Sequence, residues 1–340
     1  MAATLSDHVV DELAAAGGIV GCESLCIRCL KHSQASAEES MAATRKAVDK
    51  LCDHGLARHI GSDVCLTDDG WTSANAKRPV LVVDATGAVV RQFCSPGDMS
   101  PAAALVAVIA GFTKRHPCDV EIVFDGGGET FRHRIFPGYK ASRPPKEKSL
   151  LDCLADAKAL SVDYGRVHCI LGVEADDVIA TLVRRHSARG RKAIVFSSDK
   201  DFWALLVPDR VTVLQSARRD RGEWRYSYFT AAMFRDKFGI DPHQWPEVRA
   251  MSGDASDEWR GAAGVGEATA VKLVQAFGTI DKVMDAIRDW PHSLELLRGG
   301  VKLSKRQVDG LRALDIGVAR TVTYLKADVE IQEDRVHGRT

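Results

Sequence analysis

Three short runs, residues 80–83, 120–124 and 193–196, are apolar and β-branched almost throughout. Runs of this kind suit strands buried on both faces. Between and after them, apolar residues recur at helical spacing over 101–116, over 149–160, where Leu150, Leu151, Leu154 and Leu160 mark one side, and over 174–185. Pro144-Pro145 stops any helix at that point. Strand alternating with helix predicts an α/β body: a mostly parallel central sheet with helices on both faces.

Upstream the pattern changes. Residues 6–16, 23–32 and 37–54 show helical spacing, with breaks at Gly17-Gly18 and at 33–36 and a stop at Gly55. Residues 56–67 read as two short strands around Gly61-Ser62. Three helices and a hairpin predict a small α+β, winged-helix-like head over 1–75, a linker over 76–79, a body over 80–331 and a tail over 332–340. Cys22, Cys26, Cys29 and His32 fall on one face of the second helix. Thiols so placed usually serve as small core residues; zinc ligation is the weaker reading and a CxxxCxxC radical cluster the weakest.

At 340 residues the chain suits about two domains, and its 45% hydrophobic content is ample for their cores. No apolar run approaches the ~20 residues of a membrane helix, and the N-terminus lacks a basic, secretory-type leader. A cytoplasmic protein is expected, and its nine cysteines read as reduced thiols. Net charge is zero overall, but the head carries eleven acids against six bases, so the remainder is basic by the same margin. An acidic head is a poor duplex clamp. It is expected to dock instead on a partner, such as a replication protein, or on its own body.

Five segments, VVDAT, IVFDGG, GVEADDV, SSDKDF and GDASDEW, concentrate the acids: Asp84, Asp125, Glu174, Asp176, Asp177, Asp199, Asp201, Asp254 and Asp257. Several follow strand-like runs directly, so neighbouring strands would bring them to one sheet edge, where open α/β sheets place their crevice. Nine carboxylates there cannot all ionise without cations, and oxygen-only ligands suit Mg²⁺ or Mn²⁺. Glu174 and Asp177, three apart, are expected to share a helix face with Asp176 nearby. Any one acid alone reads as a cap or a solvated loop; their recurrence points to metal-assisted phosphoryl chemistry. Residues 130–149 hold six bases, Arg132, Arg134, Lys140, Arg143, Lys146 and Lys148, against Glu147, interleaved with Phe131, Phe136 and Tyr139. Beside an acidic crevice, this block reads as a phosphate-tracking and base-stacking surface.

Gly261, Gly264 and Gly266 precede an amphipathic helix and would let backbone N–H groups approach phosphate, with Arg260 and Lys272 alongside. This is the pattern of a helix-hairpin-helix over about 253–278. No GKS or GKT follows, so it is not a P-loop.

With these motifs in this order, residues 79–331 resemble the 5′ nucleases: the flap endonucleases and 5′ to 3′ exonucleases of phages and of bacterial DNA polymerase I. FDGGGETFRHRIFPGYKASRPP looks like the family's basic helix entry and helical-arch base, and GVEADDVIATL, SSDKDFWALL, GDASD and VARTVTYLKADVEI match its later segments. The resemblance implies a PIN-like core with a helical arch. Asp84, Asp125, Glu174 and Asp176 match acids around a tighter metal site; Asp177, Asp199, Asp201, Asp254 and Asp257 match those of a second. Lys140 and Arg143 match bases used on the scissile phosphate, and Tyr139 an aromatic beside them. The glycine hairpin matches a duplex grip that in the family often works through a monovalent cation, K⁺. Where the family reads DNIPG or DNIRG this chain has Asp257-Glu258-Trp259-Arg260-Gly261, and where it reads GEKTA this chain has Ala268 in place of the lysine. The extra acid is expected to weaken the grip, and the missing lysine to remove a phosphate contact.

The implied function is two-metal hydrolysis of DNA at 5′ ends, nicks, flaps or single-strand to duplex junctions, by a monomer in a bacterial or phage-infected cell. Two other readings stay open: a non-catalytic junction-binding protein, and a winged-helix regulator with a nuclease-like body. Retention of all nine matched acids argues against the first, and the acidic head against the second.

Overall fold

The computed structural model describes residues 19–21, 37–53, 57–60, 63–66, 78–95, 97–288 and 300–331. The expected helices over 6–16 and 23–32, the Cys22/Cys26/Cys29/His32 face and the tail lie outside these residues. The chain divides into two compact units, Met1–Arg78 and Pro79–Thr340. In the first, helix Ala37–Asp53 buries Thr44, Ala47, Val48 and Leu51. Strand Asp63–Leu66 pairs antiparallel with Ala57–Ile60 on one side and with Ile19–Gly21 on the other.

The second unit is built on strands β1 (Val80–Asp84), β2 (Asp119–Asp125), β3 (Arg166–Ile170), β4 (Ala193–Phe196), β5 (Val211–Asp220) and β6 (Glu223–Phe229), in sheet order β3-β2-β1-β4-β5-β6. All neighbours are parallel except β5 and β6. Strand side chains alternate between faces. Val80 and Val82 therefore join one buried cluster, with Ile179, Trp203 and Trp245, while Leu81 and Val83 join another, with Leu105, Ile109 and Phe112. Helices α1 (Ala85–Cys94), α2 (Pro101–Arg115) and α4 (Lys148–Ser161) cover the second face. The first is covered by α5 (Ala175–Ala188), α6 (Ala231–Phe238) and α7 (Trp245–Ser252). Between β2 and α4 sits the short α3 (Phe131–Ile135), and α8 (Glu267–Phe277), α9 (Ile280–Arg288), α10 (Lys305–Arg312) and α11 (Ile316–Thr323) complete the unit.

Two elements carry weak sequence signals. Helix α1 lies immediately behind Asp84, and β3 is an edge strand whose residues, RVHCI, alternate in polarity and are only partly covered. Helices also end close to their expected limits: 149–160 becomes Lys148–Ser161, and 174–185 becomes Ala175–Ala188.

Candidate active site

Strand order reverses between β1 and β4, and open sheets leave their crevice at that point, outside the carboxyl ends of the strands. Val83 pairs with Phe196 and Asp84 with Val123, so the ends of β1, β2 and β4 are nearly level. Asp84 closes β1, Asp125 closes β2, and Asp199 follows β4 by three residues. Side chains hold these ends together. Asp84 accepts from the Gly87 backbone N–H (2.9 Å) and from Ser197 Oγ (2.8 Å). The Asp125 N–H donates to Thr86 Oγ1 (2.8 Å), and its carboxylate accepts from the Ala175 N–H (3.0 Å) at the start of α5.

Asp176, in the first turn of α5, lies in the field of Asp84, Asp125 and Asp199. Burial, then the neighbouring acids Asp125 and Asp199, push the Asp84 carboxyl up to about 6. Burial, Asp84 and Asp199 also raise Asp176 well above the usual carboxylate range. Asp201 begins a one-turn helix, Asp201–Leu205, and burial beside Asp199 lifts it to about 6. One oxygen from each of Asp201, Asp254 and Asp257 lies within 4.8 Å of the others. Arg249, on α7, holds the first two by donating to Asp201 Oδ1 (3.2 Å) and to Asp254. Two acid groups therefore face one crevice, and Asp199 and Asp201 connect them. An all-oxygen donor set whose crowded charges resist ionisation fits hard divalent cations.

Glu174, the residue before α5, accepts from Thr130 Oγ1 (3.2 Å), Tyr139 OH (2.9 Å) and Lys140 Nζ (2.8 Å). Burial alone would raise its carboxyl, but Lys140 and Arg132 outweigh that and hold it low. His133 completes the capping of α3 by Thr130. Arg143 donates to the Ser256 carbonyl (3.0 Å) and to Asp257 Oδ1 (3.0 Å). The turn that carries Asp254 and Asp257 closes where Gly253 (φ 84°) meets Gly261 (φ 60°). A Cβ on Gly261 would lie 2.4 Å from the Gly253 nitrogen, so this crossing needs glycine.

Two models of one family match the body: the 5′-3′ exonuclease N-terminal resolvase-like domain over residues 79–239 and the 5′-3′ exonuclease C-terminal SAM fold over 240–336. The chain belongs to the 5′-3′ exonuclease family. Among the relatives of this chain, DNA polymerase I of Thermus thermophilus is 33% identical over 211 residues, 59% of this chain and 24% of that one. DNA polymerase I of Thermus filiformis is 30% identical over 258 residues, 73% of this chain and 29% of that one. The chain thus spans about a quarter of the length of these curated relatives. A structure of the bacteriophage T5 5′-exonuclease with divalent metal ions bound has the same fold, at a TM-score of 0.60 and 22% identity, covering 73% of this chain and 90% of that one.

Three expected site residues are placed otherwise. Asp177 is fully buried, and Arg132 Nη1 and Nη2 donate to its two oxygens at 2.6 and 2.8 Å; the Lys326 N–H adds a third bond at 2.7 Å. Asp177 therefore leaves the metal-facing set, and Arg132, 2% exposed, leaves the DNA-facing set. One helical residue turns α5 by about 100°, so Asp176 faces the acids while Asp177 faces Arg132. Tyr139 is also buried and anchors Glu174 rather than offering a stacking face. Arg134, Lys146, Lys148, Arg260, Gly264, Gly266 and Lys272 are exposed, and Gly261 is half-buried in the turn.

The sequence reading missed Arg249, Ser197, Thr86 and Thr130, which orient the acids, and it missed the β5–β6 ribbon. Phe196, near the end of β4, pairs with Leu214, so β5 runs on beyond the crevice edge of the sheet. The ribbon carries Arg218, Arg219, Arg221 and Arg225, all exposed, with only Asp220 and Glu223 at its tip to offset them. Arg218 and Arg225 sit directly opposite each other, a like-charge pairing that destabilises a ribbon. The detectable signal was four arginines within eight residues.

Proposed function

We propose that this chain is a structure-specific, divalent-metal-dependent 5′ nuclease that hydrolyses DNA phosphodiesters at 5′ ends or flaps. The observation that carries it is the convergence of two carboxylate groups at the sheet's switch point, with Lys140 reaching between Glu174 (2.8 Å) and Asp257 (3.7 Å). Asp84, Asp125, Glu174, Asp176 and Asp199, with Asp201, Asp254 and Asp257, would hold two cations, Mg²⁺ or Mn²⁺. When bound, these supply an activated water and stabilise the leaving oxygen. Glu174 orients Lys140 and Tyr139. Lys140 and Arg143 offset the charge that builds on the phosphoryl group. The exposed bases of residues 134–148 and of the β5–β6 ribbon track the backbone, which makes recognition one of shape rather than of sequence. Backbone amides around residues 261–266, with Arg260 and Lys272, hold the duplex, aided by K⁺. The winged-helix-like head over 1–75 serves as a docking module for a replication partner, and the enzyme acts as a monomer in DNA replication or repair in the cytoplasm.

The test is incubation of an end-labelled 5′ flap with Mg²⁺ or with EDTA and sizing of the product. Cleavage near the junction that needs the metal is expected. Undiminished cleavage in EDTA, or binding without cleavage in Mg²⁺, would overturn this reading.

A further inference from the structure

Glu258 is the extra acid beside Asp257, and its carboxylate is engaged by Ser142. It ends the one-turn helix Ala255–Asp257 in a left-handed conformation (φ 60°, ψ 14°), uncommon for a residue with a side chain. Its Oε1 accepts from the Ser142 backbone N–H at 2.5 Å and from Ser142 Oγ.

Ser142 belongs to the short loop that delivers Lys140 and Arg143. Lys140 is likewise left-handed (φ 53°), so the chain must be held on both sides of it to keep that geometry. On one side Tyr139 is buried, with its hydroxyl on Glu174. On the other, residues 141–147 are all exposed up to the start of α4. Within the loop the Ala141 N–H donates to the Gly138 carbonyl (3.3 Å) and the Arg143 N–H to the Lys140 carbonyl (3.1 Å), and the loop is tied to residues 256–258 by Lys140 N–H to the Asp257 carbonyl (3.4 Å), Arg143 to the Ser256 carbonyl and Asp257, and Ser142 to Glu258. The Glu258 bonds are the only ones of this seam that hold the loop through a side chain not otherwise needed for metal or phosphate.

We propose that Glu258 is a positioning residue, a latch that fastens the 140–143 loop to the turn bearing Asp254 and Asp257 and so places the Lys140 ammonium and the Arg143 guanidinium. This rests on the nuclease reading above. A displacement of about 1 Å in such groups lowers rates by large factors, whereas the duplex grip lies elsewhere.

The test compares Glu258→Ala with Glu258→Gln, whose amide oxygen can still accept both Ser142 bonds. Single-turnover cleavage of a 5′ flap should fall about tenfold in Glu258→Ala, with flap affinity, measured in Ca²⁺, within about twofold. Glu258→Gln should retain most of the rate. Amide exchange at Ser142 in metal-free protein should accelerate in the alanine variant and not in the glutamine variant. Glu258→Ala added to Lys140→Ala should cost little beyond Lys140→Ala alone. Equal gains in affinity for both variants would show that Glu258 only repels DNA. A rate loss explained wholly by affinity, or unchanged exchange at Ser142, would equally overturn the latch. Wild-type protein that exchanges as expected but cleaves no flap would instead overturn the nuclease reading and leave the latch standing.

Discussion

Lys140 Nζ lies 2.8 Å from Glu174 Oε2 and 3.7 Å from Asp257 Oδ1, so one ammonium bridges the start of α5 and the turn after α7. Burial would lower its pKa, yet Glu174 and Asp257 outweigh that and raise it, so the group stays charged across the working pH range. Lys140→Ala is therefore expected to lower the single-turnover rate by about 100-fold while changing flap affinity far less. A loss of affinity as large as the loss of rate would make Lys140 an ordinary backbone contact.

Asp177 and Arg132 form a buried pair that also binds the Val322 and Tyr324 carbonyls and the Lys326 N–H. Breaking such a pair leaves an uncompensated buried charge and costs about 3–5 kcal/mol. Asp177→Asn should lower the urea midpoint accordingly, with little change in metal affinity of the protein that remains folded. Normal stability with weakened metal binding would return Asp177 to the metal site.

Glu121, on β2, is buried and accepts from His168 (2.7 Å) and His186 (3.2 Å). Burial opposes its ionisation, but those two bonds and Arg166 prevail and hold it at about 2, against 4.5 unfolded. Its folded value is depressed, so its contribution of roughly 3 kcal/mol is present above pH 4.5 and lost as pH falls towards 2. Glu121→Gln should lower stability at pH 7 and flatten the acid limb of the unfolding curve in that window. An unchanged acid limb would show that the network contributes nothing.

Asp84, held at about 6 against 3.8 unfolded, runs in the opposite sense. In metal-free protein its protonation favours the folded state progressively as pH falls from about 6 to about 4. A cation must displace that proton. Mn²⁺ affinity measured by calorimetry should therefore rise between pH 5.5 and 7.5, with proton release at the lower value. A flat profile would place the cation away from Asp84.

The β5–β6 ribbon should act through charge alone. Replacing Arg218 and Arg221 with Gln is expected to weaken flap binding at low salt and to reduce the slope of log affinity against log salt by about 2, with little change in the rate once substrate is bound. An unchanged slope would take the ribbon off the DNA.

Periodicity alone was sufficient for the sheet core, because strands buried on both faces must be apolar along their length and helices between parallel strands must be amphipathic. It also placed Asp84 and Asp125 at strand ends, since an acid directly after a buried run has few other places to go, and Asp199 in the loop three residues beyond β4. The weakly patterned edge strands β3 and β6 escaped because they face water and carry no continuous apolar run, and β5 escaped because its apolar start, Val211–Leu214, gives way to a polar, exposed second half. Tertiary structure alone decided between Asp176 and Asp177, adjacent residues of the same type. One step along a helix rotates a side chain by about 100°, and only the position of Arg132, 45 residues away in sequence, determines which carboxylate is neutralised in the core and which remains in the crevice. The same holds for Tyr139 and Glu258. Both look like free surface chemistry in the sequence, and both are engaged by partners, Glu174 in the interior and Ser142 at the surface, that only the folded chain brings within hydrogen-bonding distance.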